Sequence, residues 1–492
     1  MSEGSRDAEP TTAMLTNRGE PSPGSSGPSP PGAAPEVSDA FMKVLPAAGG
    51  SFVEWYEFAV YSYVSTYTTA NFFAGGRGGS LGTWAGFAIT FAFRPLGGAF
   101  FGILSDSLGR KLALQWSIVL MLGSTVLQGC LPSFHCCGEA WGWLGLVALL
   151  VCRALQGLSA GGELSTAAVY ISEVSPKERL GFNLSWISAS GNFLAWAVAA
   201  LVMFLIESLV SHEDMLLWGW RLPYLTSVVP GAALILARRC LEETPDFEEL
   251  VKEEAERTCA NQLEGDTDVV ATSGGPLREV FAHHKLAVFI GSLGTMGIGA
   301  VWYVPSVYGV QFIKQLDELP ASAVSFSEMF GFCIPAVLAV FAGMLVDVWG
   351  ASKVLTLALI GGCVIVPMPL LYWWTHAPQS CAIAALFIGQ AVLGLVLALT
   401  ASVYLWVVEL FPVRVRTTGV SVAYNIGIGI FGGLGPLISD AGNKVISPRS
   451  AVSAPAAFTL FAGLISLAAV ALSQVLARSG VLRLTHIRAS PY

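Results

Sequence analysis

The 492 residues are 54% hydrophobic, only 12% Asp, Glu, Lys or Arg, and carry a formal charge of −8. Soluble globular proteins hold about 25% charged residues, so this chain has too few charges to cover a water-facing surface, and a mean hydropathy of +0.63 excludes a large cytosolic domain as well as fibrous and disordered classes. The acidic balance argues against a nucleic-acid partner, which needs a basic face, and leaves a chain whose main partner is the lipid bilayer.

Residues 1–45 are rich in Pro, Gly, Ser and Glu and predict a disordered cytoplasmic tail. They lack both the apolar stretch of a signal peptide and the Arg-rich, acid-poor character of a transit peptide. Six apolar stretches follow, near 46–71, 81–104, 112–131, 141–172, 181–209 and 218–238. Six more lie near 286–313, 322–346, 354–374, 381–408, 418–440 and 452–476. A hydrocarbon core about 30 Å thick needs roughly 20 apolar residues per helix. The pattern therefore predicts an all-α polytopic membrane protein of about twelve transmembrane helices in two six-helix halves, 46–238 and 286–476, with a short tail at 477–492. Gly157, Gly161, Pro230, Pro305 and Pro335 inside the spans fit a membrane bundle, where neighbouring helices satisfy the backbone they disturb.

The acidic loop 239–285 separates the halves; twelve acids and four bases lie in 240–285. Within it, 246–257 reads as a polar helix, because Glu248 with Lys252 and Glu253 with Arg257 are spaced i,i+4 with the acid first. Residues 258–276 read as a linker. Cys130, Cys136 and Cys137 crowd one loop. They would suit a disulfide if that loop is extracellular, and otherwise read as small residues at a helix end, which is the preferred reading. With the N-terminus in the cytoplasm, nineteen basic residues fall on the cytoplasmic side, Arg238 among them, against five outside. This bias predicts that both termini and the central loop are cytoplasmic.

Two motif pairs repeat along the chain. Gly102, Asp106 and Gly109 (followed by Arg110 and Lys111) match Gly343, Asp347 and Gly350 (followed by Lys353). Glu173 to Pro176 matches Glu409 to Pro412 at nearly the same offset. Such pairs at equivalent loops imply an internal parallel repeat, whose halves rock about a central cavity.

These residues resemble the major facilitator superfamily over roughly 45–476. Gly102 to Lys111 resembles its loop 2–3 signature, and Arg153 to Glu163 its fourth-helix motif. More narrowly, Glu54-Trp-Tyr-Glu57-Phe, Phe93-Arg94-Pro95, Leu241 to Pro245 and Glu409 to Gly419 resemble the metabolite:proton symporters. Glu57 stands where that family usually has Asp, and Ala351-Ser352 where the first repeat has Arg110-Lys111. The resemblance implies uptake of small organic acids such as 2-oxoglutarate, citrate or shikimate, or of zwitterions such as proline and betaine.

Each charge buried in a bilayer costs at least a few kcal/mol and marks a site. Glu57 is the candidate proton carrier, since a carboxyl beside an arginine in a low dielectric sets proton against arginine. Glu54 shares its helix face, and the resemblance pairs Glu57 with Arg153; a static ion pair is the alternative. Arg94 is the candidate ligand of a substrate carboxylate, through its planar fork, or else a partner of Glu54 or Glu163. Glu163, beside Gly161-Gly162, reads as structural. Trp302, Tyr303 and Tyr308 around Pro305, with Tyr424 and Asn425, are candidate substrate contacts; packing and helix association are the alternatives. Asp106, Arg110, Glu173, Arg179, Asp347, Glu409 and Arg414 form the candidate cytoplasmic gate by resemblance.

No zinc-type Cys/His cluster and no phosphate loop occur, so neither metal nor cofactor is expected, nor is enzyme activity. The leading expectation is a monomeric, proton-coupled symporter of a small organic acid in the plasma membrane. A proline- or betaine-type zwitterion is the alternative, disfavoured by a short C-terminal segment without heptads. An uncoupled facilitative carrier and a transporter-derived sensor are further readings.

Overall fold

The computed structural model describes residues 37–75, 79–263, 275–316, 319, 321–445 and 453–482. In lipid every backbone polar group must be satisfied within its own segment, and the apolar stretches accordingly form helices. These are α1 (Val37–Tyr63), α2 (Gly79–Leu108), α3 (Arg110–Gly129) and α4 (Phe134–Val174). Next come α5 (Lys177–Leu209), α6 (Gly219–Arg239) and α7 (Lys285–Gly309). The remainder are α8 (Ala321–Trp349), α9 (Ala351–His376), α10 (Gln379–Val408), α11 (Val413–Pro436) and α12 (Ser453–Arg478). Ten segments among the described residues are long and apolar enough to cross a membrane; α1 and α2 bring the bundle to twelve.

Three boundaries differ from expectation. α1 begins at Val37, within the stretch assigned to the tail; most of that tail lies outside the described residues. The polar loop helix runs Pro245–Leu263, past the expected end at 257, and a second short helix, Gly275–His283, leads into α7. The rest of the expected linker, 264–274, lies outside the described residues. Cys136 and Cys137, at the start of α4, are joined as a disulfide between neighbours while Cys130 is free, which reverses the preference for unpaired cysteines.

The tightest seam joins α2 to α4. A side chain at Gly161 would place its Cβ 2.0 Å from the Arg94 carbonyl oxygen, and one at Gly157 would sit 2.2 Å from that of Thr90. Only glycine permits that backbone approach, which sets Arg94 and Arg153 on one packed slab. Wide π-helical turns occur at Ser188–Ala195, Val304–Gly309, Ile360–Ile365 and Asn425–Gly432, with another at Thr69–Phe73 beyond α1. The second of these contains Pro305, which has no N–H to donate.

The internal repeat is geometric as well as sequential. Gly109 and Gly350 both take positive φ, 105° and 91°, at the turns α2–α3 and α8–α9. Gly102 packs against the Thr418 backbone of α11, and Gly343 against the Gly181 carbonyl of α5. Each motif glycine thus opens a path to the opposite half.

Candidate functional site

Glu54 and Glu57 lie one turn apart on α1, and each meets an arginine from a different neighbour. Arg94 Nη2 on α2 donates to Glu54 Oε1, and Arg153 Nη1 on α4 donates to Glu57 Oε1. Arg153 Nη1 also donates to Gln156 Oε1 at 2.9 Å, and Gln156 Nε2 to Thr125 Oγ1 at 2.9 Å. All four charged side chains are essentially sealed from solvent. Phe58 sits between the pairs, with its ring centroid 5.0 Å from the Arg94 guanidinium carbon and 5.6 Å from that of Arg153. Tyr61 faces Arg153 at 4.1 Å. Arg94 has met Glu54 rather than Glu163.

Glu163 is paired with Arg238 on α6. Arg238 Nη1 donates to Glu163 Oε2 at 3.0 Å, Nη2 to Glu163 Oε1, and Nε to the Pro46 carbonyl at 3.0 Å; Ser117 Oγ also donates to Glu163. Arg238 therefore drops out of the cytoplasmic basic residues. Gly231, Leu234 and Arg238 recur at helical spacing on the buried face of α6, a signal that marks Arg238 as inward-facing.

Between the halves lies a small cavity lined by Trp55 and Asn192 from the first half and by Trp302, Tyr303, Thr400, Tyr404 and Tyr424, with Ile298, Val403 and Ile428, from the second. All ten are buried, so the cavity is largely screened from solvent. Trp302 stacks on Trp55 at 6.0 Å, on Phe193 at 5.1 Å and on Phe332 at 6.0 Å. Asn192 Nδ2 donates to Tyr404 Oη across the halves at 3.0 Å. Arg94 stands one layer behind this wall, within electrostatic reach of Tyr303, Tyr404 and Tyr424. Of the expected substrate contacts, Trp302, Tyr303 and Tyr424 line the cavity. Tyr308 instead stacks on Phe312 at 5.9 Å. Asn425 donates to the Gly161 carbonyl at 2.7 Å and that of Ser421 at 2.8 Å, joining α11 to α4. Trp55, Asn192, Thr400 and Tyr404 were not anticipated.

At one end of the bundle the halves are clamped. The Asp106 carboxylate accepts from the backbone N–H groups of Thr417 at 3.2 Å and Thr418 at 2.8 Å, the first turn of α11. Asp347 accepts from Gly181 at 2.6 Å and Phe182 at 2.9 Å, the start of α5. Each aspartate thus meets the orphan donors and positive dipole end of a helix in the other half. Glu173 is held by Arg110 Nε at 3.1 Å, Arg416 Nη1 at 3.0 Å and Thr244 Oγ1 at 2.7 Å. Glu243 accepts from the Arg110 and Lys111 backbone N–H groups at 3.0 and 3.1 Å, and Phe247 faces the Arg110 guanidinium at 5.0 Å. The opening of the central loop is therefore part of the clamp. Arg414 lies 3.6 Å from Glu279 and is half-exposed; Glu409 is buried; Arg179 is exposed, just ahead of the α5 N–H groups that bind Asp347. Arg416, Glu243 and Thr244, missing from the expected gate residues, join these contacts through Glu173 and the start of α3.

A sequence profile of the family described as "Sugar (and other) transporter" matches residues 43–467. A Staphylococcus aureus protein named for proline/betaine transport is 31% identical over 405 residues, 81% of either chain. The ectoine/proline transporter ProP of Corynebacterium glutamicum is 30% identical over 79% of this chain and 76% of its own. The solved proton:xylose symporter XylE, a major facilitator superfamily protein bound to 6-bromo-6-deoxy-D-glucose, superposes with a TM-score of 0.70. That match covers 91% of this chain and 97% of the other at 16% identity, and shows a shared fold.

Proposed function

We propose, for a chain that belongs to the sugar (and other) transporter family within the major facilitator superfamily, that the cargo is a small zwitterion of the proline or betaine type. It would be carried by proton-coupled alternating access. One observation carries the reading: the cavity walls are aromatic and hold no charged side chain, while the nearest cation, Arg94, is already neutralised by Glu54. Desolvating a di- or tricarboxylate there would leave its charge uncompensated, at a cost of several kcal/mol. A zwitterion brings its own counter-charge. Its ammonium group is attracted to the faces of Trp and Tyr rings, and its carboxylate lies toward the positive side of the Glu54–Arg94 pair. The relatives named for proline/betaine and ectoine/proline transport point the same way, so the organic acid expected from sequence yields to the alternative.

In this reading Glu57 exchanges a proton against its bond to Arg153, Arg94 biases the carboxylate end of the cargo, and the Asp106–Asp347–Glu173 clamp closes the cytoplasmic side. The protein would work as a monomer in the plasma membrane. Purified carrier in liposomes tests it: an inward proton gradient should drive accumulation of labelled proline or glycine betaine, competed by other zwitterions and not by citrate or 2-oxoglutarate. Competition by the dicarboxylate alone would restore the organic acid.

A further inference from the structure

The indole N–H groups of Trp55 and Trp302, we infer, are the donors that grip the carboxylate of the cargo; this rests on the zwitterion reading above. Both rings line the cavity, one from α1 and one from α7, stacked at 6.0 Å with their planes 28° apart. Both Nε1 atoms are buried and make no hydrogen bond. An indole nitrogen donates and cannot accept, and buried donors are nearly always satisfied in native structures because an unmet one costs its full desolvation. Trp196 and Trp220 share the deficit elsewhere, so it is the pairing of two unmet indole donors across one cavity that singles out a ligand site.

The missing partner must be an acceptor small enough to enter a buried cavity. A carboxylate suits best, since hydrogen bonds to an ionised acceptor are about twice as strong as neutral ones. Arg94 does not serve as the first contact, because it lies outside the cavity lining; its Nη2 is engaged by Glu54, and its Nε is buried without a hydrogen bond behind the wall. Its guanidinium carbon, 5.7 Å from the Trp55 ring centroid, instead sets a positive potential behind the donors. Of the other polar lining groups, Asn192 and Tyr404 are bonded to each other; the Tyr303 hydroxyl is also unmet, but a hydroxyl both donates and accepts, so it does not demand an acceptor as an indole N–H does. Because Trp55 belongs to the first half and Trp302 to the second, one carboxylate bridging both N–H groups binds only when the halves are together. The cargo would thereby stabilise the occluded state directly.

Trp55→Phe and Trp302→Phe remove the N–H and keep an aromatic face. Binding of glycine betaine and choline to purified carrier, read by thermal shift and by competition with labelled betaine, separates the two ends of the cargo: both probes carry the quaternary ammonium and only betaine the carboxylate. The expected result is that the ratio of betaine to choline affinity falls at least about tenfold in each variant, the size of one charge-assisted hydrogen bond. An unchanged ratio overturns the assignment, as does an equal loss for both probes, which would reduce the tryptophans to stacking surfaces. Wild-type carrier that binds neither betaine nor proline would overturn the zwitterion reading itself and this inference with it. Should one variant fail to fold, the other still decides, since the two donors lie on different halves.

Discussion

Replacing Asp106 by Asn tests the clamp most directly. The carboxylate accepts two backbone N–H bonds at the first turn of α11 and lies 3.6 Å from Arg110 Nη1. Asparagine keeps one acceptor oxygen but loses the charge and turns an amide toward the second donor. A partly buried anion at a helix N-terminus contributes up to about 2 kcal/mol, and a hydrogen bond to a charged group exceeds a neutral one by about 1 kcal/mol. Against this, asparagine is less costly to bury. A net loss of about 2 kcal/mol follows, shifting the closed-to-open equilibrium roughly thirtyfold. These bonds bridge α2 and α11 and exist only in the closed clamp, so the shift is one of population, with the affinity of each state unchanged. The assay is thiol labelling from the clamp side of a single cysteine at Val403, in a background without reactive native thiols. The labelling rate should rise toward thirtyfold in Asp106→Asn while net uptake falls. Asp347→Asn, with the same two-donor geometry at α5, should behave alike, and the two effects should add until the clamp is fully open. Labelling at the wild-type rate with reduced uptake would refute a gate role for Asp106.

Glu57→Gln should retain cargo exchange at equilibrium and lose accumulation driven by a proton gradient; because Arg153 is left uncompensated, stability should fall by about 3–5 kcal/mol in thermal unfolding. Normal uphill uptake by that variant would remove Glu57 as proton carrier. Arg94→Lys keeps the charge but loses the planar fork, and should weaken cargo binding about tenfold; unchanged binding would make Arg94 purely structural. Burial first, then the Glu173 carboxylate, raises Asp246 above the ordinary aspartate range, with Arg416 opposing. A raised value in the closed clamp means closure is favoured as pH on that side falls toward it. Acidification should therefore slow clamp opening, and Asp246→Asn should slow it at neutral pH and remove the pH effect.

Sequence spacing located what depends on one helix at a time. Glu54 and Glu57 share a face by periodicity, and the paired G-x-x-x-D-x-x-G motifs marked Asp106 and Asp347 as counterparts because both copies occupy the same place in a repeat. Spacing is blind to which helices meet. Arg238 looked like a loop base beside Arg239, yet a helix step of about 100° turns one inward and the other out. The same step separates Tyr424, in the cavity wall, from Asn425, which bonds back to Gly161. Trp55 and Tyr404 acquire their meaning only from partners in the other half. Glu243 and Thr244 lay in a motif quoted for resemblance, but their role as a cap and a latch on Glu173 needs the loop folded against α3 and α4.

Away from the clamp, the described residues of the first half bury three carboxylates, Glu54, Glu57 and Glu163, against three guanidiniums, Arg94, Arg153 and Arg238. Its interior is therefore electrically silent when empty: rocking that slab through the bilayer moves no net charge, and a membrane voltage does no work on it. A zwitterion changes nothing in that balance. One proton on Glu57 makes the interior singly positive, and about 2.3 kcal/mol per 100 mV then acts on a full crossing. Voltage would thus pull only the protonated carrier inward and leave its empty return unopposed, so current should flow with uptake and vanish during exchange.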